Sequence, residues 1–396
     1  MVRRMIIAVF VIAQCALSYG IIDFSGILTL STPSGARSIG MGEVGTALAD
    51  DEDVLYYNPA GLGMQNNRWQ RGAETNFYES PFPNFDLPNL GYYRWAGVYQ
   101  PESGNWGGFG FNFSKVNFGI IDWTNDLGYF LGLPRSYEYV AGLSWGCRLA
   151  KIGLKNQFFG VSAKYVYSVL DPDYNTENAG AGKSLVFDFG YLWKFIPSMR
   201  FGLNLQNIGL GQSVSYIFQP GFYDQYEEIP FTLNLALAYS KDFIADNGVT
   251  ISQVKAEIRT DRKIVKNYID GPSDPFWKAI STGFLHDTST TFRDQLDEFI
   301  VHLGAEYTLF NTLSLRSGFL YDDAGERIEN HWGFGIKALN HFQCDYYWIF
   351  SPEGYLGWLF HNQGSNGSRN YQWGINFTFF NIFKWTDADR TWWKAH

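Results

Sequence analysis

From Gln70 to Phe380 the chain repeats one pattern, segments of about 9 to 13 residues in which apolar and polar side chains alternate with period two. A β-strand sends successive side chains to opposite faces, so each segment has one greasy face and one wet face. Between Phe231 and Tyr239, the residues Phe231, Leu233, Leu235, Leu237 and Tyr239 share a face, opposite Thr232, Asn234, Ala236 and Ala238. Leu185, Phe187, Phe189, Tyr191 and Trp193 oppose Asp188 and Gly190, and Tyr371, Trp373, Ile375, Phe377 and Phe379 oppose Gln372, Gly374, Asn376 and Thr378. A soluble sandwich alternates too, but its strands are commonly about 5 to 6 residues long. Longer segments with aromatic ends predict strands that cross a bilayer, one face toward lipid and the other toward a lumen.

Counting such segments gives about 14, an even number, as a single-chain bacterial barrel requires. The connections alternate in length. Short turns fall at 101–104, 150–155, 195–198, 241–248, 310–311 and around Asn340, whereas 116–135, 209–228, 261–296 and 351–369 are longer links. The expected fold is therefore all-β: a transmembrane antiparallel β-barrel of about 14 strands, with both termini on the periplasmic, short-turn side. One strand breaks phase, since Val249 and Ile251 fall on one face and then Val254, Ala256 and Ile258 take over, so a β-bulge is expected there. In the longest link, 261–296, Trp277 to Leu285 is expected to form a small lid or helix.

Composition narrows the alternatives. Aromatics reach 18% and glycine 42 residues, while charged residues are only 17%, against about 25% in a typical soluble domain. No apolar run after the first 20 residues is long enough for a spanning helix, and the net charge of −9 argues against a nucleic-acid partner. Residues 1–20 read as a secretory signal, with Arg3 and Arg4 ahead of the apolar stretch Met5 to Ala16, and cleavage after Ser18 or Gly20. A lipoprotein cleavage at Cys15 is the alternative. Cys147 and Cys344 are too few for a disulfide framework. The chain then divides into a signal peptide (1–20), an N-terminal plug or hatch (21–66), the barrel (67–380) and a C-terminal periplasmic tail (381–396), at the outer membrane of a diderm bacterium.

The stretch from Gly35 to Gly63 stands apart from the strands. Gly40-Met41-Gly42-Glu43-Val44-Gly45 matches G-x-G-x-x-G, but the strand and helix that a dinucleotide loop needs on either side are missing. Its glycines read instead as permits for close approach to a barrel wall. Asp50, Asp51, Glu52 and Asp53 are an acidic run suited either to a divalent cation or to pairing with lumen arginines. Pro59 biases Asn58 away from helix, and Gly61 allows the sharp bend that delivers the chain to the first strand. The hatch residues singled out are Gly35, Arg37, Gly40, Gly42, Asp50, Asp51, Asn58, Pro59 and Gly61. On the polar faces of the strands, Arg148, Lys164, Asp188, Arg200, Glu306, Arg316 and Lys337 are the candidate lumen residues. The six histidines show no metal-ligand spacing and no catalytic pattern occurs, so no enzyme, cofactor or metal site is expected.

The run Gly35 to Gly42, then Ala47 to Asp51, then Tyr57-Asn58-Pro59-Ala60-Gly61-Leu62, resembles the N-terminal signature of the PorV/PorQ family within the FadL-like outer-membrane barrels. The resemblance covers about 30 residues by motif and the remainder by architecture. It implies a 14-stranded barrel with a hatch. PorV-like members are components of type IX secretion that receive exported proteins, whereas FadL-like members take up hydrophobic molecules such as long-chain fatty acids. The partners implied are outer-membrane lipid together with secretion-system subunits or exported proteins, or hydrophobic small molecules. Two departures stand out, the 16-residue tail from Asn381 to His396 and Glu43 where a small residue often follows Gly-Met-Gly.

Overall fold

The computed structural model describes residues 27–64, 70–77, 91–101, 106–118, 123–124, 130–132, 136–169, 181–209, 213–216, 225–246, 248–264, 274–279, 298–322, 327–338, 342–350 and 371–380. The expected signal peptide, the tail and most of the segment from Trp277 to Leu285 lie outside them; 276–279 form one helical turn.

Fourteen antiparallel strands close into a barrel. They are β1 (Gln70–Phe77), β2 (Gly91–Tyr99), β3 (Gly108–Asn117), β4 (Tyr137–Arg148), β5 (Gln157–Val169), β6 (Ala181–Ile196) and β7 (Met199–Gly209). Then come β8 (Thr232–Ile244), β9 (Thr250–Lys263), β10 (Ile300–Leu309), β11 (Leu313–Asp322), β12 (Arg327–Ala338), β13 (Phe342–Phe350) and β14 (Tyr371–Phe380). Each strand pairs with its neighbours in sequence, and β1 pairs with β14 from Arg71↔Phe380 to Phe77↔Gly374, which closes the ring. A closed ring leaves no unpaired edge, the condition for a sheet to sit in lipid. Two small hairpin sheets, Trp123–Thr124 with Phe130–Gly132 and Ser213–Tyr216 with Gln225–Glu228, lie within the long links.

The side chains are distributed inside out relative to a soluble protein. Leu143 (71% exposed), Phe111, Trp95, Leu185, Leu237, Ile258, Leu315, Trp332 and Ile336 face outward, while Arg94, Lys164, Asp188, Glu257, Glu306 and Arg316 are buried inside. A wall apolar outside and charged inside is that of a transmembrane barrel. The phase read from sequence holds from Leu233 to Tyr239 and from Leu185 to Trp193. Phe231 departs from it: it precedes β8 and is fully buried, packed with Ile208, Ile264 and Ala279. The break in β9 is a register shift between Phe243↔Ser252 and Ile244↔Thr250, which leaves Ile251 without a register partner on β8 and puts Lys255, Glu257, Arg259 and Asp261 on the lumen face. A second shift, between Phe187 and Phe189 on β6, accommodates Asn207 at φ +61.

Residues 27–64 fill the lumen as a hatch of four single helical turns, Leu28–Ser31, Ala36–Ile39, Val54–Tyr57 and Gly61–Met64. Such short turns gain little from their own hydrogen bonds. Their stability comes from the wall: Ile39 packs with Tyr92 and Tyr347, Leu55 and Leu62 with Val98, Phe158 and Leu192, and Met41 and Leu48 with Ala236 and Ala238.

Candidate functional site

The hatch meets the wall first through glycine. Gly108, Gly146, Gly160 and Gly190 pair directly across β3, β4, β5 and β6, making a row with no side chains across four strands. Into that slot the chain lays Asn58 to Gly63, so close that a Cβ on Gly160 or Gly146 would overlap the Pro59 carbonyl and one on Gly108 that of Leu62. On the far wall Gly304 and Gly318 pair across β10 and β11, and with Gly333 they receive the backbone of Gly40, Met41 and Gly42. Gly42 has φ +75, and a Cβ there would stand 2.8 Å from the Leu303 carbonyl. Asn58 fastens the bend: its amide donates to the carbonyls of Thr46 (2.8 Å), Tyr191 (3.2 Å) and Leu203 (3.3 Å), and its oxygen accepts from Ala60 N–H. Gly35 lies against the Asp53 carboxylate and Gly61 against Val54 and Ala49, inside the hatch itself.

The second contact is ionic. Arg37 donates to Asp50 (2.7 Å), Asp51 (2.5 Å) and both oxygens of Glu306 (2.9 Å each). Glu306 also accepts from Arg316 (2.7 Å), which reaches on to Asp345 (2.6 Å). Lys255 stands 3.0 Å from Asp50, and Arg200 donates to the Leu48 carbonyl. Burial alone would raise the Asp50 carboxyl, but Arg37, Lys255 and Arg200 hold it well below the usual carboxylate range. Asp53 pairs with Arg94 at 2.6 Å, yet burial and then the neighbouring Asp51 push its carboxyl up to about 7 against that pull. Glu257 receives four successive backbone N–H groups, from Gly45 (2.9 Å), Thr46 (2.9 Å), Ala47 (3.1 Å) and Leu48 (2.6 Å). Two histidines grip the Gly-Met-Gly turn, His302 Nδ1 at the Gly42 carbonyl and His331 Nδ1 at the Ile39 carbonyl, each 2.8 Å.

Of the candidate residues read from sequence, Arg37, Asp50, Asp51, Arg200, Glu306 and Arg316 come together in this cluster. Lys337 lines the chamber beside it. Lys164 and Asp188 form a separate pair at 2.8 Å that, with Asn207, stabilises the bulge of β6 and β7. Arg148 keeps the lumen phase, opposite the buried Phe158, but lies exposed at the end of β4, its guanidinium 5.5 Å from the Phe158 ring centre, because its strand runs past the hatch into the short-turn rim. Sequence reasoning missed Arg94, Glu257, Arg259, Asp261, His302, Glu329, His331 and Asp345. Their signal was the same alternation, which on β9 places Glu257, Arg259 and Asp261 opposite Val254, Ala256 and Ile258.

On one sector of the wall the hatch separates two cavities of about 100 Å³ each. The cavity toward the short turns is lined mostly by charge, including Arg37, Asp50, Lys255, Glu306, Arg316 and Lys337. The other, toward the long links, combines Leu30, Pro33, Tyr56, Tyr57, Ile300 and Leu320 with charged groups of both signs, among them Arg259, Lys263 and Arg327 and the carboxylates of Glu43, Asp261 and Asp322. Between them runs the Gly40–Gly42 backbone against Gly304 and Gly318.

No protein-family model matches the chain, and no curated protein does. Among solved structures it is similar to a TodX monoaromatic hydrocarbon channel carrying the deltaS2 mutation, at TM-score 0.51 and 12% identity over 89% of this chain and 99% of that one. The toluene transporter TbuX of Ralstonia pickettii (TM-score 0.48, 13% identity, 89% of this chain and 99% of that one) and a FadL homologue of Pseudomonas aeruginosa (0.46, 12%, 91% and 99%) are also similar. The likeness to the TodX variant is one of fold, and it extends over nearly the whole of both chains.

Proposed function

We propose that the chain is a non-enzymatic outer-membrane barrel of the FadL-like type that admits a small hydrophobic or amphipathic molecule from the extracellular, long-link side into the chamber above the hatch. Both termini then lie in the periplasm. The observation that carries this reading is the lining of that chamber, where an apolar wall of Leu30, Pro33, Ile300 and Leu320 meets charged groups of both signs, Arg259, Lys263 and Arg327 with Glu43, Asp261 and Asp322. A concave apolar surface with a few convergent polar groups is the usual form of a small-molecule site. The shared fold with a monoaromatic hydrocarbon channel supports the same substrate class.

A PorV-type role in type IX secretion is the second reading. It is favoured by the number of buried ion pairs that hold the hatch in place, which suits a barrel that stays shut and acts through its loops and protein partners. Native purification followed by mass spectrometry of both extracted lipids and co-purifying proteins separates the two. Bound fatty acids or aromatic hydrocarbons without partner proteins are expected. Stoichiometric secretion subunits with no small molecule would overturn transport in favour of secretion.

A further inference from the structure

We propose that Glu43, Glu329 and His331 bind one divalent cation of the zinc class and thereby tie the hatch to β12. Glu329 and His331 stand two residues apart on the lumen face of β12, and Glu43 comes to them from the hatch; one ligand atom from each lies within 4.8 Å of the others. Glu43 is the residue that departs from the pattern of the signature.

The imidazole decides the chemistry. His331 is fully buried, and its Nδ1 lies 2.8 Å from the Ile39 carbonyl oxygen. A carbonyl only accepts, so Nδ1 carries the proton, and in the neutral ring Nε2 presents a lone pair. That Nε2 has no hydrogen-bond partner among the described residues, yet it points to within 3.3 Å of Glu329 Oε2 without hydrogen-bond alignment. A lone pair facing a carboxylate is repelled; a cation between the two, a proton or a metal ion, removes the repulsion, and the 3.3 Å separation without hydrogen-bond alignment suits the metal. Ligand atoms on a tetrahedral zinc, each about 2.0 to 2.1 Å from the metal, stand about 3.4 Å apart, close to this separation. An imidazole whose second nitrogen donates to a backbone carbonyl, and a carboxylate held by an arginine, are the usual outer supports of such a site. Arg327 supplies the latter, donating to both oxygens of Glu329 (3.0 and 3.1 Å).

His302 is an internal control. Its Nδ1 also meets a hatch carbonyl, but its Nε2 lies 2.6 Å from Asp261 Oδ1, too close for a metal to stand between them. Glu43 and Glu329 both stand against Arg327, at 3.8 and 3.0 Å. Arg259, the next cation around, is paired with Asp261 at 3.2 Å. Two carboxylates and one imidazole form a donor set of the kind a zinc-class cation takes. Glu43 and Arg327 line the long-link chamber, so the site opens to it and water can complete the coordination.

The test uses untagged full-length protein in detergent, stripped with chelator, reloaded with Zn²⁺ and desalted, with zinc counted by elemental mass spectrometry. One zinc per folded chain is expected, with affinity lower by an order of magnitude or more in Glu43→Gln and His331→Ala. Heat-modifiable migration reports that each variant still forms a barrel. Should His331→Ala not fold, Glu43→Gln, which is nearly isosteric and off the wall, carries the comparison. A folded wild type that retains no zinc, or a Glu43→Gln barrel that retains as much as wild type, overturns the site.

Discussion

Where Asn58 to Gly63 meets β3–β6, backbone lies on backbone over a row of glycines, and Leu55, Leu62, Phe158 and Leu192 fill the remaining space. Where Arg37 to Asp53 meets β9–β13 and β2, the contact is charge on charge: Arg37, Glu306, Arg316 and Asp345 in one chain of pairs, Asp53 and Arg94 in another. The first seat is set by shape, which salt and pH leave alone. The second depends on every partner being present, because a buried charge that loses its partner costs more than the pair contributed. One barrel thus holds a single hatch by shape alone at β3–β6 and, across the lumen, by charge pairs set beside a second glycine contact at Gly304 and Gly318.

The largest effect should follow from removing the hub of the ionic seat. Arg37→Ala leaves Asp50, Asp51 and Glu306 facing one another, and the hatch should loosen by about 3 to 5 kcal/mol, read as lost amide hydrogen-exchange protection across 36–53 with protection at 58–63 kept. Equal loss at both ends would dissolve the distinction between the seats. Gly160→Val attacks the other seat. Its side chain would occupy the space of Pro59 and Ala60, at a cost of about 3 kcal/mol, and limited proteolysis should then cut near 58–63 while the barrel stays heat-modifiable.

Smaller effects sharpen the contrast. Glu257→Gln keeps the shape of the carboxylate but loses its charge and half of its capacity to accept the four N–H groups of residues 45–48, a weakening of about 2 kcal/mol in hydrogen-exchange protection there. A pH effect stands beside these. Asp53 has a folded value of about 7, above the unfolded value of about 3.9, so the folded hatch binds the extra proton in that window. Its contribution is therefore full below about pH 4 and falls away as pH rises to about 7. Asp53→Asn should flatten the pH dependence of thermal unfolding between those limits; an unchanged slope would assign it to another group.

The strands were legible because lipid on one side and a wet lumen on the other impose a period of two that a linear reading detects. Even the bulge in β9 announced itself, as the change of phase between Ile251 and Val254. The glycine slot was not legible. Gly108, Gly146, Gly160 and Gly190 lie in four different strands, and only the register sets them side by side. The partners of the hatch were equally hidden, since nothing local joins Gly45 to Glu257 or Glu43 to His331. The signature itself proved to be about seating. Arg37, Asp50 and Asp51 make the ionic contact, Gly40 and Gly42 lie on the glycines of β10–β12, and Asn58 and Pro59 fill the slot on β4–β6. Residues spent on holding a hatch say little about what passes it.

The carboxylate of Glu257 lies 212 residues beyond the Gly45 amide it accepts from, and Arg71 meets Phe380 at the opposite end of the chain. The segment synthesised before any strand therefore finds its last partners only when the late strands arrive. In kinetic terms the hatch belongs to the slow, non-local class of contacts, and its ordering reports on the completion of assembly more than on its beginning.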